Sequence, residues 1–129
     1  MLHLMRTCLA LFLVALVQAK SVLESISYTG DSTSVDTLSD TCKAALAIEI
    51  QCDPSLEMYA LDSILPSSED LEYICTQECS DSLASTRKSI ASGCANDNII
   101  YVYDNREYPM TRPIEKMIDT KKRTCLRDA

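Results

Sequence analysis

The placement of cysteine constrains this chain more than any other feature. Six cysteines stand at 42, 52, 75, 79, 94 and 125, and a seventh, Cys8, lies in an apolar run near the N-terminus. Arg6, then Leu9 to Val17, then the small-x-small triplet Val17-Gln18-Ala19 have the layout of a secretory signal peptide cleaved after Ala19. The run is too short to cross roughly 30 Å of hydrocarbon as an anchor. Removing residues 1–19 leaves 110 residues and six cysteines. An even count in a short exported chain reads as a disulfide framework, so a secreted, extracellular location is expected. The core of one domain this small gives only marginal stability, which three bridges would supplement. Fifteen pairings are open for six cysteines.

The organising stretch runs from Glu69 to Cys94. Four-residue steps join Leu71, Cys75, Cys79 and Leu83, and Ile74, Ile90 and Cys94 fall near the same helical face. Pro66-Ser67-Ser68-Glu69-Asp70 starts it, with Ser67 as cap and Asp70 answering. Ser80-Asp81-Ser82 is a cap-like cluster, so a break is expected there. Gly93 is read as the terminator. On one continuous helix Cys75 and Cys79 would stack a turn apart, an awkward geometry for a mutual bridge, so each is expected to reach a different neighbour. If the preceding helix runs antiparallel to this spine, Cys42 is expected nearer Cys75 or Cys79 than Cys52 is.

Around the spine, residues 20–37 are rich in Ser and Thr and read as an extended leader that need not pack. The cysteine-rich domain then spans 38–129. A first helix is expected from about Leu38 to Gln51, capped through Thr37 and Asp40 and stopped by Asp53-Pro54. A second is expected over Leu56 to Leu65 with Leu56, Tyr59, Ala60 and Ile64 on one side. After a turn at Ala95 to Asn98, Ile99 to Tyr103 is β-prone without an obvious partner strand, and reads as an extended segment laid over the helices. Pro113 opens a last helix with Ile114, Met117, Ile118, Lys121 and Cys125 on one face. The fold class is therefore all-α: a small disulfide-rich bundle of about four to five helices, with an extended segment near 99–103.

Composition narrows the chemistry. The sole His, His3, leaves with the signal, so Ser-His-Asp and Cys-His nucleophile systems have no base. Without His or paired CxxC spacings, no metal site is expected; no cofactor and no catalytic residue are assigned. Glu69, Asp70 and Glu72 invite a carboxylate hydrolase, but acids gather at helix N-termini for electrostatic reasons, and the chain reads as a non-enzyme. Of the net charge of −7, the acids concentrate before Arg106 and seven basic residues follow from Arg106 onward. An acidic body argues against nucleic acid as a partner, and Lys121-Lys122-Arg123 reads as an exposed basic face. Tyr101, Tyr103, Asp104, Arg106 and Tyr108 form the one cluster suited to a ligand surface, since tyrosine offers a flat apolar face with a polar tip. The plainer role is that two of these tyrosines fix the extended segment to the helices.

Several motifs carry a resemblance. Cys42-Lys43-Ala44-Ala45-Leu46 with Gln51-Cys52-Asp53, Ile74-Cys75-Thr76-Gln77-Glu78-Cys79 with Ser82-Leu83, Arg87, Cys94, Tyr108-Pro109, Thr111, Ile114 and Thr124-Cys125-Leu126-Arg127-Asp128 cover about two thirds of the chain. Together they resemble the cysteine-rich helical region of secreted fungal LysM-containing proteins. No LysM unit is recognisable, so the resemblance implies an effector-like, LysM-associated secreted protein without carrying over chitin-oligomer binding. Cys75-x3-Cys79-x14-Cys94 after Leu65-Pro66-Ser67-Ser68-Glu69 also resembles the elicitins, six-cysteine helical sterol carriers of oomycetes, which implies a small lipid or sterol carrier as the alternative. The leading expectation is a secreted, non-enzymatic, cysteine-rich binding protein, with a cell-wall polysaccharide or host protein as partner, lipid as the alternative, and no membrane span.

Overall fold

A computed structural model describes residues 21–23, 35–62, 64–97 and 101–126, the side chains of Leu61, Tyr101 and Tyr103 excepted. The signal peptide expected over 1–19, most of the leader, and Ile99 and Ile100 lie outside the described residues. Five α-helices and one hairpin make up the rest: α1 (Asp40–Leu46), α2 (Ser55–Asp62), α3 (Ser68–Ile74), α4 (Gln77–Gly93), β1 (Tyr101–Tyr103), β2 (Arg106–Tyr108) and α5 (Arg112–Cys125). A single 3-10 turn at Val35–Thr37 precedes α1. The chain is a disulfide-rich helical bundle, as its periodicity predicts.

Three bridges close it: Cys42–Cys94, Cys52–Cys79 and Cys75–Cys125. Each cysteine of the organising stretch thus reaches a cysteine outside it. The sequence separations of 52, 27 and 50 residues correspond to about 3.5–4 kcal/mol each in the chain-entropy model, less than additively because the loops overlap. Helix α1 does run antiparallel to α4, but its start meets the end of α4, so Cys42 pairs with Cys94. Cys52 reaches the beginning of α4 and pairs with Cys79. Proximity of Cys42 to Cys75 or Cys79 would have required a parallel pair.

Helix α1 is shorter than expected. Ser39, not Thr37, is its N-cap: its hydroxyl accepts from the Cys42 amide at 3.2 Å, while its own amide and hydroxyl donate to the Asp97 carboxylate at 2.8 and 2.7 Å. The helix ends at Leu46 because the following backbone has other partners. Glu49 forms an isolated antiparallel bridge with Ser21, and the Gln51 amide donates to the Ser82 hydroxyl at 2.9 Å. Ile50 remains buried although it lies outside the helix. Through the Ser21 bridge the start of the described chain is tied down, and Val22 is wholly buried in the core.

The break in the spine falls at Cys75-Thr76, not at Ser80-Asp81-Ser82. Cys75 leaves helical geometry at φ −86° and ψ 32°, and the Thr76 hydroxyl accepts from the Cys79 amide at 3.1 Å, opening α4. Ser80 to Ser82 are then plain helix interior, where Ser80 hydrogen-bonds back to the Thr76 carbonyl. Cys75 and Cys79 consequently belong to different elements and do not stack. Helix α3 begins with the expected capping box of Ser67 and Asp70. Asp70 also accepts from the Tyr59 hydroxyl at 2.6 Å, joining α3 to α2. Hydrogen bonds from Ser67 and Tyr59 hold the Asp70 carboxyl below its ordinary pKa, and the same bond raises that of Tyr59. Helix α2 stops at Asp62, so Ile64 is exposed and does not join its buried side.

The buried face of α4 is Cys79, Leu83, Thr86 and Ile90. Helix α1 packs on it from one side, and α5 packs on α4, α2 and α3. Ile114 and Met117 of α5 join Leu46, Leu56, Ile74 and Leu83 in one core. The β-prone segment has a partner that its sequence conceals. Tyr101 pairs with Tyr108 and Tyr103 with Arg106 in an antiparallel hairpin. The turn is Asp104-Asn105, both at positive φ (50° and 56°), the two-residue geometry that matches strand twist. Asp and Asn tolerate this region where most side chains do not.

Gly93 ends α4, yet its small size serves another purpose. A Cβ there would stand 2.8 Å from the Ala45 Cβ and 3.0 Å from the Thr41 carbonyl oxygen. Glycine lets the α1 backbone close on α4 beside the Cys42–Cys94 bridge. Gly93→Ala would gain about 1 kcal/mol of helix propensity, but neither neighbour is the movable end of a flexible chain, so steric cost prevails. The expected outcome is a net loss of about 1–3 kcal/mol in denaturant melts of the oxidised protein, partly restored by Ala45→Gly in the double variant. Unchanged stability of Gly93→Ala would refute the close approach.

Candidate functional site

Helices α4 and α5 run antiparallel, with Ser80 opposite Lys121 and Arg87 opposite Glu115. Between them lies an open groove of about 790 Å³. Its α4 wall is Ser80, Leu83, Ala84 and Arg87, which repeat at helical spacing, and its α5 wall includes Ile118, Lys121, Lys122 and Leu126. Apolar surface therefore fills the middle and one end. At the other end Arg87 and Glu115 form an ion pair at 3.0 Å. Both partners are partly exposed, so the pair is worth at most about 1 kcal/mol and acts mainly as a polar boundary.

Lys121 is the unexpected member. The sequence reading places it both on the face of Ile114, Met117, Ile118 and Cys125 and in an exposed basic run with Lys122 and Arg123, and those last two are exposed. Lys121 is only 9 % exposed. The amphipathic register of α5 turns it inward with Met117 and Thr124, and its ammonium donates to the Ser80 hydroxyl at 2.6 Å. Burial lowers its pKa from the ordinary lysine value. The stem packs as hydrocarbon and the charged tip meets a neutral oxygen. A lysine at a stripe position was the available signal, since Lys121 follows Ile114, Met117 and Ile118 at helical spacing.

The residues singled out as a ligand surface occupy the hairpin. Asp104 and Arg106 are exposed at and beside the turn. Tyr108 is half-buried, and the Arg112 guanidinium lies 5.3 Å from its ring centroid, a cation–π contact. The backbone brings Tyr101 opposite Tyr108, while the side chains of Tyr101 and Tyr103 lie outside the description. The hairpin does not line the groove among the described residues. A second hollow of about 510 Å³ beside it is bordered by Arg112, Lys116, Lys122 and Arg123 with Asp119, so basic character gathers on the outer side of α5. Of the acids considered for hydrolysis, Asp70 is engaged by Ser67 and Tyr59, and Glu69 and Glu72 are exposed. All six cysteines from Cys42 to Cys125 are bridged.

A helical bundle stapled by three disulfides, with no described helix long and apolar enough to cross a membrane, defines a small cysteine-rich domain of the exported class. Residues 26–129 match the model of the secreted LysM effector N-terminal domain, and the chain belongs to that family. It is a secreted, effector-type protein. A LysM domain-containing protein of Arthroderma benhamiae is 30% identical over 92 residues, covering 71% of this chain. The match spans 17% of that relative's length. No solved structure matches the chain.

The groove lysine makes a testable demand on stability. A lysine whose folded pKa lies below its unfolded value of about 10.4 costs stability while it is charged. The folded state then holds fewer protons than the unfolded state between the two values, so stability rises with pH across that window. Lys121→Met keeps the apolar stem without the charge. It is expected to raise the melting temperature at pH 7 by a few degrees, on the order of the usual response to a single core change. It should also flatten the alkaline rise, both measured by thermal melts from pH 7 to 10.5. A lower melting temperature at pH 7 would show that the Ser80 bond outweighs the burial cost.

Proposed function

We propose that this protein is a non-enzymatic, effector-like binding module that acts at the cell wall or host interface, and that it meets its partner through the β1–β2 hairpin. The single observation that supports this reading most is family membership over residues 26–129. The hairpin supports the choice of surface. Tyr108 packs against the core and fixes the hairpin to the bundle, the hairpin turn exposes Asp104, Asn105 and Arg106, and its tyrosine content suits sugar rings or peptide groups. Three bridges around the bundle favour a rigid support for that hairpin, since cross-links restrict the unfolded chain far more than the folded one. Cleavage after Ala19 would leave Lys20 as the first residue, directly before the Ser21–Glu49 bridge. Intact mass of secreted material is expected to show that terminus, and retention of residues 1–19 would refute it.

Polysaccharide is the partner of first choice. Pull-down of the oxidised, secreted chain on insoluble chitin and on whole fungal cell wall is expected to retain it. Arg106→Ala with Tyr108→Ala should release it roughly 10-fold more readily, the scale of losing one or two contact residues. Failure on both matrices would remove polysaccharide from consideration and leave a host protein. Turnover of glycan substrates that is lost on Glu69→Gln or Glu72→Gln would overturn the non-enzyme reading.

A further inference from the structure

We infer that the groove between α4 and α5 is a binding site for a single-chain amphiphile with a carboxylate head, the head set against Lys121 and the tail along Leu83, Ala84 and Ile118. This site is a different surface from the hairpin and does not depend on the wall- or host-facing reading.

Charge complementarity carries the inference. Lys121 is more than nine-tenths buried, and among the described residues its ammonium meets the Ser80 hydroxyl. Removing an ammonium from water is costly unless an opposite charge replaces its hydration, and a carboxylate is the natural replacement. The groove also has the sign for an anion. Lys121, Lys122 and Arg87 stand against Glu115 and Asp119, a positive balance in a chain whose net charge is −7. Glu115 is held by Arg87, so it does not compete for Lys121. The α4 group that meets Lys121, Ser80, is uncharged.

The remaining lining suits a tail. Ala84 of α4 and Ile118 of α5, with the side of Leu83 between them, line the stretch from Lys121 to the Arg87–Glu115 pair. From Lys121 to Glu115 the helical rise is about 9 Å, which holds the head-proximal part of a medium-chain acyl tail. A carboxylate head within reach of Lys121 therefore lays the start of its tail over Ile118 and Ala84.

The test is titration of the full oxidised chain with dodecanoate and, separately, dodecanol, each below its aggregation concentration, followed by calorimetry. The wild type is expected to bind dodecanoate saturably and at least 10-fold more tightly than dodecanol. Lys121→Met should cut dodecanoate affinity at least 10-fold and leave dodecanol unchanged, and Ala84→Trp should weaken both by filling the groove. Circular dichroism melts confirm that each variant is folded. Absence of saturable uptake by the folded wild type overturns the proposal. So does equal affinity for acid and alcohol, or an acid affinity that Lys121→Met leaves intact. Concentration-dependent dimerisation that Ala84→Trp abolishes, without uptake of dodecanoate, would assign the groove to a second copy of the chain instead.

Discussion

The approach of α1 to α4 is the contact on which the rest of the bundle depends. Cys42–Cys94 clamps one end of it, the Asp97 carboxylate holds both polar groups of Ser39 beside that clamp, and Gly93 removes the atom that would keep the backbones apart. At the other end Cys52–Cys79 and the Gln51–Ser82 hydrogen bond fasten the chain leaving α1 to the first turns of α4. With α4 held in this way, its Leu83, Thr86 and Ile90 face a fixed space, and α5 fills it with Ile114 and Met117. Cys75–Cys125 then prevents the last helix from leaving. A domain this small buries too little apolar surface for wide stability margins, so covalent closure carries a share that packing carries in larger domains.

That arrangement also shapes the groove. Antiparallel packing of α4 and α5 is set by the core-facing residues, but the outward shoulder of the contact is left open, and there Lys121 and Ser80 meet. A buried lysine with a neutral partner costs stability. Apolar residues of similar length would fill the position without that cost, which makes the groove a place where the fold gives up stability. Positions of this kind are where binding function is usually found, because an uncompensated charge is offset when a ligand of opposite charge arrives.

Much of the helical architecture was legible from residue spacing. The capping box at Ser67 and Asp70, the Pro113 start of α5 and the apolar stripe through Leu83 and Ile90 depend on neighbours within a turn or two, and local rules capture those. Tyr101, Tyr103, Asp104, Arg106 and Tyr108 stand close together in the sequence, but their strand pairing was not legible, because a two-residue turn of Asp104-Asn105 lacks the glycine that usually announces it. The groove was missed. Lys121 shares the stripe of Ile114, Met117 and Ile118 but also reads as one of three consecutive basic residues, and its meeting with Ser80 follows from how α5 packs on α4.

By itself the sequence determined the class: an exported, disulfide-framed, all-helical domain with a central cysteine-bearing stretch, of the secreted LysM effector N-terminal family. These follow from composition, from 3.6-residue periodicity and from motif. Tertiary structure decided the cysteine pairing, the break at Cys75-Thr76, the shortening of α1 and the meeting of Lys121 with Ser80. Each of these rests on partners far apart in sequence: Cys42 with Cys94, Ser21 with Glu49, Gln51 with Ser82, Ser80 with Lys121. Spacing within a helix carries no information about which distant group will be there to meet a donor, an acceptor or a sulfur.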